Sequence, residues 1–136
     1  MPDFSVDVTR WVEKARHRAD AALRATAEDA VNRVKELTPV DTGHLRANWS
    51  AIRPDESLPI EGRATTEAIT QASLGDIIVV VNPVIYARAI EYGRDIERKD
   101  GETTHVTGAG MVTQTVAELP EIARRATRRV IQGGGA

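Results

Sequence analysis

The chain has 136 residues, which suits one domain and leaves little room for two independent cores. Apolar residues make up 41% of it but aromatics only 4%, so the core is thin and built mainly from Ala, Val, Ile and Leu, a composition that favours a subunit stabilised by its neighbours. A formal net charge of −2 argues against free duplex DNA as the primary ligand, and the lack of cysteine excludes disulfides, zinc–thiolate sites and cysteine nucleophiles.

From Ser5 to Leu37 the pattern is helical. Val8, Trp11, Val12, Ala15, Ala19, Ala22, Leu23, Ala30, Val31, Val34 and Leu37 recur at spacings of three and four, with charged residues between them. Ser5 or Asp7 is placed to cap the start, and Pro39 disfavours helix at Thr38. About 30 residues at roughly 1.5 Å each predict a rod near 45 Å long. Such a helix needs packing along its length, and its Ala-rich stripe allows close approach of another element.

Thr38 to Arg46 reads as a tight turn: Asp41 can bond the backbone two residues on, and Gly43 tolerates positive φ. Ala47 to Arg53 alternates polar and apolar residues and predicts a strand led by Trp49. Arg53 to Gly62, with two prolines, predicts an exposed loop, and Ala64 to Ala72 one or two helical turns. The β-branched run Asp76 to Asn82 is the clearest strand, and its continuous hydrophobicity predicts burial on both faces, one of them by the long helix. Asn82 and Pro83 suit the cap and first position of a short helix that Gly93 ends.

Arg94 to Thr107 is charged and reads as a mobile loop or an extended hairpin. Gly108 to Gln132 is helical again, broken or kinked at Pro120, with Ile122, Ala126 and Val130 on a narrow apolar face. Arg124, Arg125, Arg128 and Arg129 lie on the opposite face. They read as a solvated surface whose cations complement the macrodipole, ahead of a docking site for an acidic partner. Residues 133–136 read as a flexible tail. The fold class expected is α+β: a long N-terminal helix on a small antiparallel sheet, with short helices after the main strand and at the C-terminus.

No catalytic constellation emerges. His17, His44 and His105 lie on a helix, a turn and a loop with no metal-ligand spacing, and the serines lack a nucleophile-elbow context. Glu91 and Asp95 lie four apart, but Gly93 intervenes, so capping or solvation is the better reading. No cofactor or metal is expected. The start lacks the regions of a signal peptide, and no apolar run approaches the roughly 20 residues of a membrane span, so the product is expected to be soluble and made in the cytoplasm.

Two stretches carry a resemblance. The first is Thr38-Pro-Val-Asp-Thr-Gly-His-Leu-Arg-Ala-Asn-Trp49, directly after the long helix; the second is Asn82-Pro-Val-Ile-Tyr-Ala-Arg-Ala-Ile-Glu-Tyr-Gly93, directly after a strand. With Gly110-Met-Val112, then Gln114 and Val116-Ala-Glu118, they make the chain resemble, over roughly its whole length, the tail-completion (neck) proteins of long-tailed bacteriophages. The resemblance implies a non-enzymatic α+β subunit that forms a homo-oligomeric ring. Such a ring touches the head-side connector on one face and the tail terminator or tail tube on the other, and genomic DNA passes through its lumen. Pro39, Asp41, Thr42, Gly43, Leu45 and Arg46 match the first motif, as turn and interface; Tyr86, Ala87, Glu91 and Gly93 match the second, as a subunit or partner interface. The segment Arg94 to Thr107 departs from the family pattern as a charged insertion. The competing reading is a cytoplasmic regulatory or antitoxin-like module that binds nucleic acid or protein through the basic C-terminal helix.

Overall fold

The computed structural model describes residues 4–41 and 43–133, with side chains from Asp7 onward. Helix α1 runs from Phe4 to Glu36, close to the bounds its periodicity predicts. It starts ahead of both predicted caps: Ser5 and Asp7 lie inside the helix, and Asp7 stands in the first turn, where a carboxylate suits the positive end of the dipole. Among the described side chains of α1, only those of its second half pack on the body. Val31 and Val34 are buried there, whereas every residue from Asp7 to Arg18 is exposed.

The turn after α1 leads into one helical turn, α2 (His44–Ala47), preceded by Gly43 at φ 81°. A Cβ added at Gly43 meets nothing within 4 Å, so this position requires glycine for its backbone conformation rather than for space. Gly43→Val is therefore expected to cost about 1–3 kcal/mol of strain and to lower the thermal midpoint by several degrees. Gly43→Asn, which tolerates this region, should cost clearly less in the same melt.

Strand β1 is shorter than predicted, Ser50–Ile52, because α2 takes up the residues through Ala47. It pairs antiparallel with β2 (Val79–Val81), matching Ser50 to Val81 and Ile52 to Val79. Between them the loop from Arg53 runs exposed, and α3 (Glu67–Thr70) seats Ala68 and Ile69 in the core. The expectation that Asp76 to Asn82 is buried on both faces does not hold. The β2 valines are only half-buried and Ile77 is 67% exposed. A two-stranded sheet offers one face to α1, through Val31, Ala51, Ile78 and Val80, and the described chain supplies no third strand beside β2.

Residues 83–86 form a turn rather than the opening of a helix. Asn82 Oδ1 accepts from the Val84 N–H, which commits the Asn side chain to the turn, and α4 begins only at Ala87 and runs to Tyr92. The segment 93–107 adopts the hairpin alternative: β3 (Gly93–Glu97) pairs antiparallel with β4 (Thr103–Thr107), forming a second small sheet. Its tip closes through Arg98 N–H to Glu102 O at 2.7 Å, and Asp95 and His105, opposite one another in the register, pair at 2.8 Å.

The C-terminal helix α5 (Met111–Gln132) is long and continuous, not short or broken. Pro120 removes the N–H that would reach the Val116 carbonyl. Val116 is exposed, so water can satisfy that oxygen and the helix continues. Ile122 and Ala126 are buried and Val130 half-buried, as the narrow apolar face predicts. The α1–α5 pair is the largest contact between elements. Val34, Leu45, Trp49, Val84 and Met111 form one core cluster, and Val31, Ala51 and Ile69 a second. The fold is α+β, with two long helices and two small antiparallel sheets. Residues 134–136, most of the predicted tail, lie outside the described residues.

Candidate assembly surface

The two motifs, some forty residues apart in sequence, line one cleft of about 360 Å³. Pro39, Asp41, Gly43, His44 and Leu45 face it from the turn, and Tyr86, Ile90 and Arg94 from the other side. A buried framework holds the two together. Asn82 Nδ2–H donates to the Leu45 carbonyl at 2.8 Å, clasping the second motif to the first. Beneath them Trp49, 4% exposed, donates its indole N–H to Thr38 Oγ1 at 2.9 Å, and that hydroxyl donates to the Val34 carbonyl at 2.6 Å. Arg46 Nη2 reaches the Thr38 carbonyl at 3.2 Å, so this arginine also braces the turn while staying exposed. The end of α1, the turn and β1 are thus one hydrogen-bonded unit.

The motif residues divide into two kinds. Leu45 is buried in the core, and Ala87 packs against that cluster. Glu91 points inward. It is 7% exposed, and its carboxylate accepts from Val112 N–H at 2.8 Å, Thr113 N–H at 3.0 Å and Thr113 Oγ1–H at 2.8 Å. It therefore caps the start of α5, the capping alternative of the sequence reading, with Asp95 taking the solvated one. Burial alone pushes its carboxyl upward, but the N–H groups of Val112 and Thr113, with the Thr113 hydroxyl, outweigh it and hold the pKa below the ordinary value. Gly93, at φ 89°, packs its backbone against Val106 and Gly108. By contrast Asp41 and Tyr86 lie at the surface, with Tyr86 39% exposed. Thr42 lies outside the described residues.

Asn82 and Thr38 carry this unit, and Gly108 packs against the end of α4, yet sequence reasoning assigned them no role beyond a cap, a helix end and a helix start. An Asn before Pro directly after an apolar strand was the available signal for Asn82, since both ends of its amide are used.

Three of the C-terminal arginines, Arg124, Arg125 and Arg129, face carboxylates. Arg129 Nη2 donates to both oxygens of Asp29 at 3.0 and 3.2 Å, pinning α5 to α1, and Arg33 bridges Glu118 and Glu36 from the α1 side. Arg124 lies 3.0 Å from Glu121, with Arg125 at 4.0 Å. These exposed pairs contribute little stability singly. They do spend much of the cationic surface that a nucleic-acid-binding helix would need. Among the described residues no cluster of His, Asp and Glu suits a metal ion, and no helix is long and apolar enough to cross a membrane.

A long helix, a hydrogen-bonded turn and a cleft with Tyr86 at its rim make up a small α+β fold. A family model described as "Bacteriophage HK97-gp10, putative tail-component" matches residues 5–93, and the chain belongs to that family. The match spans α1, the turn, the β1–β2 sheet and α4, and ends where the hairpin begins. No curated protein and no solved structure matches the chain.

Proposed function

We propose that this chain is a non-catalytic virion protein that forms a ring at the head–tail interface, completes the tail and joins it to the head connector. Its partners are then further copies of itself, the connector on the head side and the tail terminator or tube protein on the other. Genomic DNA passes through the lumen without sequence-specific contact. Membership of a phage tail-component family supports a structural role in the tail. The observation that carries the finer reading is the cleft at which both motifs converge. Tyr86 at its rim offers an apolar ring and a hydroxyl, the combination enriched at the centre of interfaces. The charged hairpin 93–107, joined to the body at its base, is the element expected to become ordered against a partner, since two strands alone are marginally stable in water.

The experiment is Tyr86→Ala in a phage deleted for the native gene. The variant should remain folded, with a midpoint lowered by no more than several degrees, because Tyr86 lies at the surface and outside the core clusters. It should nevertheless reduce joined particles at least tenfold, in keeping with about 2 kcal/mol for an aromatic anchor. Joining at the wild-type level with this variant would remove the cleft from the interface.

A further inference from the structure

The first half of α1 is an arm. Twelve consecutive residues, Asp7 to Arg18, are all exposed, and at 1.5 Å each they span about 18 Å. An amphipathic helix of this length gains little stability from propensity alone and depends on burying its apolar face. That face is present: Val8, Trp11 and Val12 are exposed, with Trp11 at 72%. It also continues an existing interface. Arg33 and Asp29, which meet α5, are followed toward the N-terminus at steps of three and four by Thr26, Ala22, Ala19 or Arg18, Ala15, Trp11 and Val8. The stripe that α5 covers at one end is bare at the other.

A matching surface lies at the root of the arm. Leu74, 65% exposed, is tied to α1 by its N–H to Asp20 Oδ1 at 2.7 Å, and three residues on the equally exposed Ile77 leads into the open end of the β1–β2 sheet. The charges are complementary. The arm carries Arg10, Lys14, Arg16 and Arg18 against Asp7 and Glu13, while residues 53–76 carry five carboxylates against two arginines. Asp55, Glu56 and Asp76 belong to the end of the sheet where Ile77 lies.

We infer that the arm of one copy docks on the Leu74–Ile77 shoulder of the next copy, head to tail. Trp11 covers the apolar pair, and Arg10 and Lys14 face the acidic rim. An arm and a shoulder on one chain make a heterologous contact, which repeats from copy to copy and closes only when the rotation allows a ring. The inference deepens the ring reading and rests on it.

The test uses the full chain, which has no cysteine of its own. In the doubly substituted Ala15→Cys, Ser73→Cys protein, which keeps Trp11 and Leu74 and places each thiol at an exposed position beside them, a short thiol crosslinker should give a ladder of multimers. Each single variant should give no ladder, and a mixture of the two should give a linked pair. Arg10→Glu with Lys14→Glu should weaken self-association at least tenfold by sedimentation. Adding Asp55→Lys and Glu56→Lys to the same chain should restore it, which a role in folding alone would not. A closed dimer in place of the ladder, or no linkage at concentrations up to about ten times the wild-type association midpoint, would overturn the arm. So would a wild-type chain that stays monomeric at millimolar concentration, or the absence of charge rescue. The joining activity of Tyr86 variants in the phage is measured separately, so a failed arm and a failed tail role are distinguishable.

Discussion

Gly108→Ala is expected to destabilise the chain by about 3–5 kcal/mol. A Cβ at this position would collide with the Glu91 carbonyl oxygen and would lie 2.6 Å from the Tyr92 carbonyl carbon and 2.8 Å from the Gly93 nitrogen. All three are backbone atoms at the end of α4, so no side chain can swing aside. The approach is close because residues 109 and 110 satisfy the last carbonyls of α4: Ala109 N–H donates to Ile90 O at 2.7 Å and Gly110 N–H to Glu91 O at 3.1 Å. Relieving the collision means lifting this strand and losing both bonds. Overpacking costs about 1–3 kcal/mol and each lost bond about 1 kcal/mol. The sum is a large share of the roughly 5–15 kcal/mol that holds a domain folded. A urea titration followed by far-ultraviolet circular dichroism measures it, and a midpoint equal to wild type would show that the junction is not under this constraint.

Glu91→Gln is expected to lose stability at neutral pH and to lose most of its disadvantage in acid. The Glu91 pKa lies below its ordinary 4.5: burial opposes the charge, but the hydrogen bonds from Val112, Thr113 and Met111 favour it more strongly. A depressed carboxylate contributes stability that is fully present above the ordinary value and is lost as pH falls through the folded one. The amide presents one acceptor oxygen where the carboxylate presents two, and it carries no charge toward the positive end of α5. A deficit of about 1–3 kcal/mol is expected at pH 7, shrinking as the pH falls below 4.5 and through the depressed folded-state pKa. Urea midpoints of both proteins across that range give the test, and a deficit independent of pH would mean the charge on Glu91 does not hold α5.

What the residues disclosed depended on how local their physics was. Helix α1 was legible because 33 residues repeat one period without a Pro or Gly to break it. Gly43 was legible because Pro, Asp and Gly in the run Pro39-Val-Asp-Thr-Gly43 each favour a tight turn by local backbone physics. The hairpin was readable only as one of two alternatives: Gly93–Glu97 and Thr103–Thr107 offer only Ile96 and Val106 as a small, part-exposed apolar face, and their pairing rests chiefly on backbone bonds and on Asp95 with His105. Pro120 argued for a break, and that argument failed because its cost depends on whether the freed carbonyl faces water, which is a tertiary fact. The Val-rich β2 looked doubly buried because hydrophobic continuity reports what a strand requires, not whether its own chain provides it. At the candidate surface, Tyr86 and Asp41 were found by motif, but their meeting in one cleft was not. Glu91 and Gly93 belong to the same motif for a different reason: they join α4 to the hairpin and to α5.

The central claim is that this chain completes the tail and joins it to the head, and electron microscopy of lysates from a phage deleted for its gene tests it most directly. The result expected is normal numbers of DNA-filled heads beside separate tails, with joined particles restored when the wild-type chain is supplied from a plasmid. Joined particles at wild-type frequency in the deletion, with the defect in gene expression instead, would contradict the claim and favour a regulatory role.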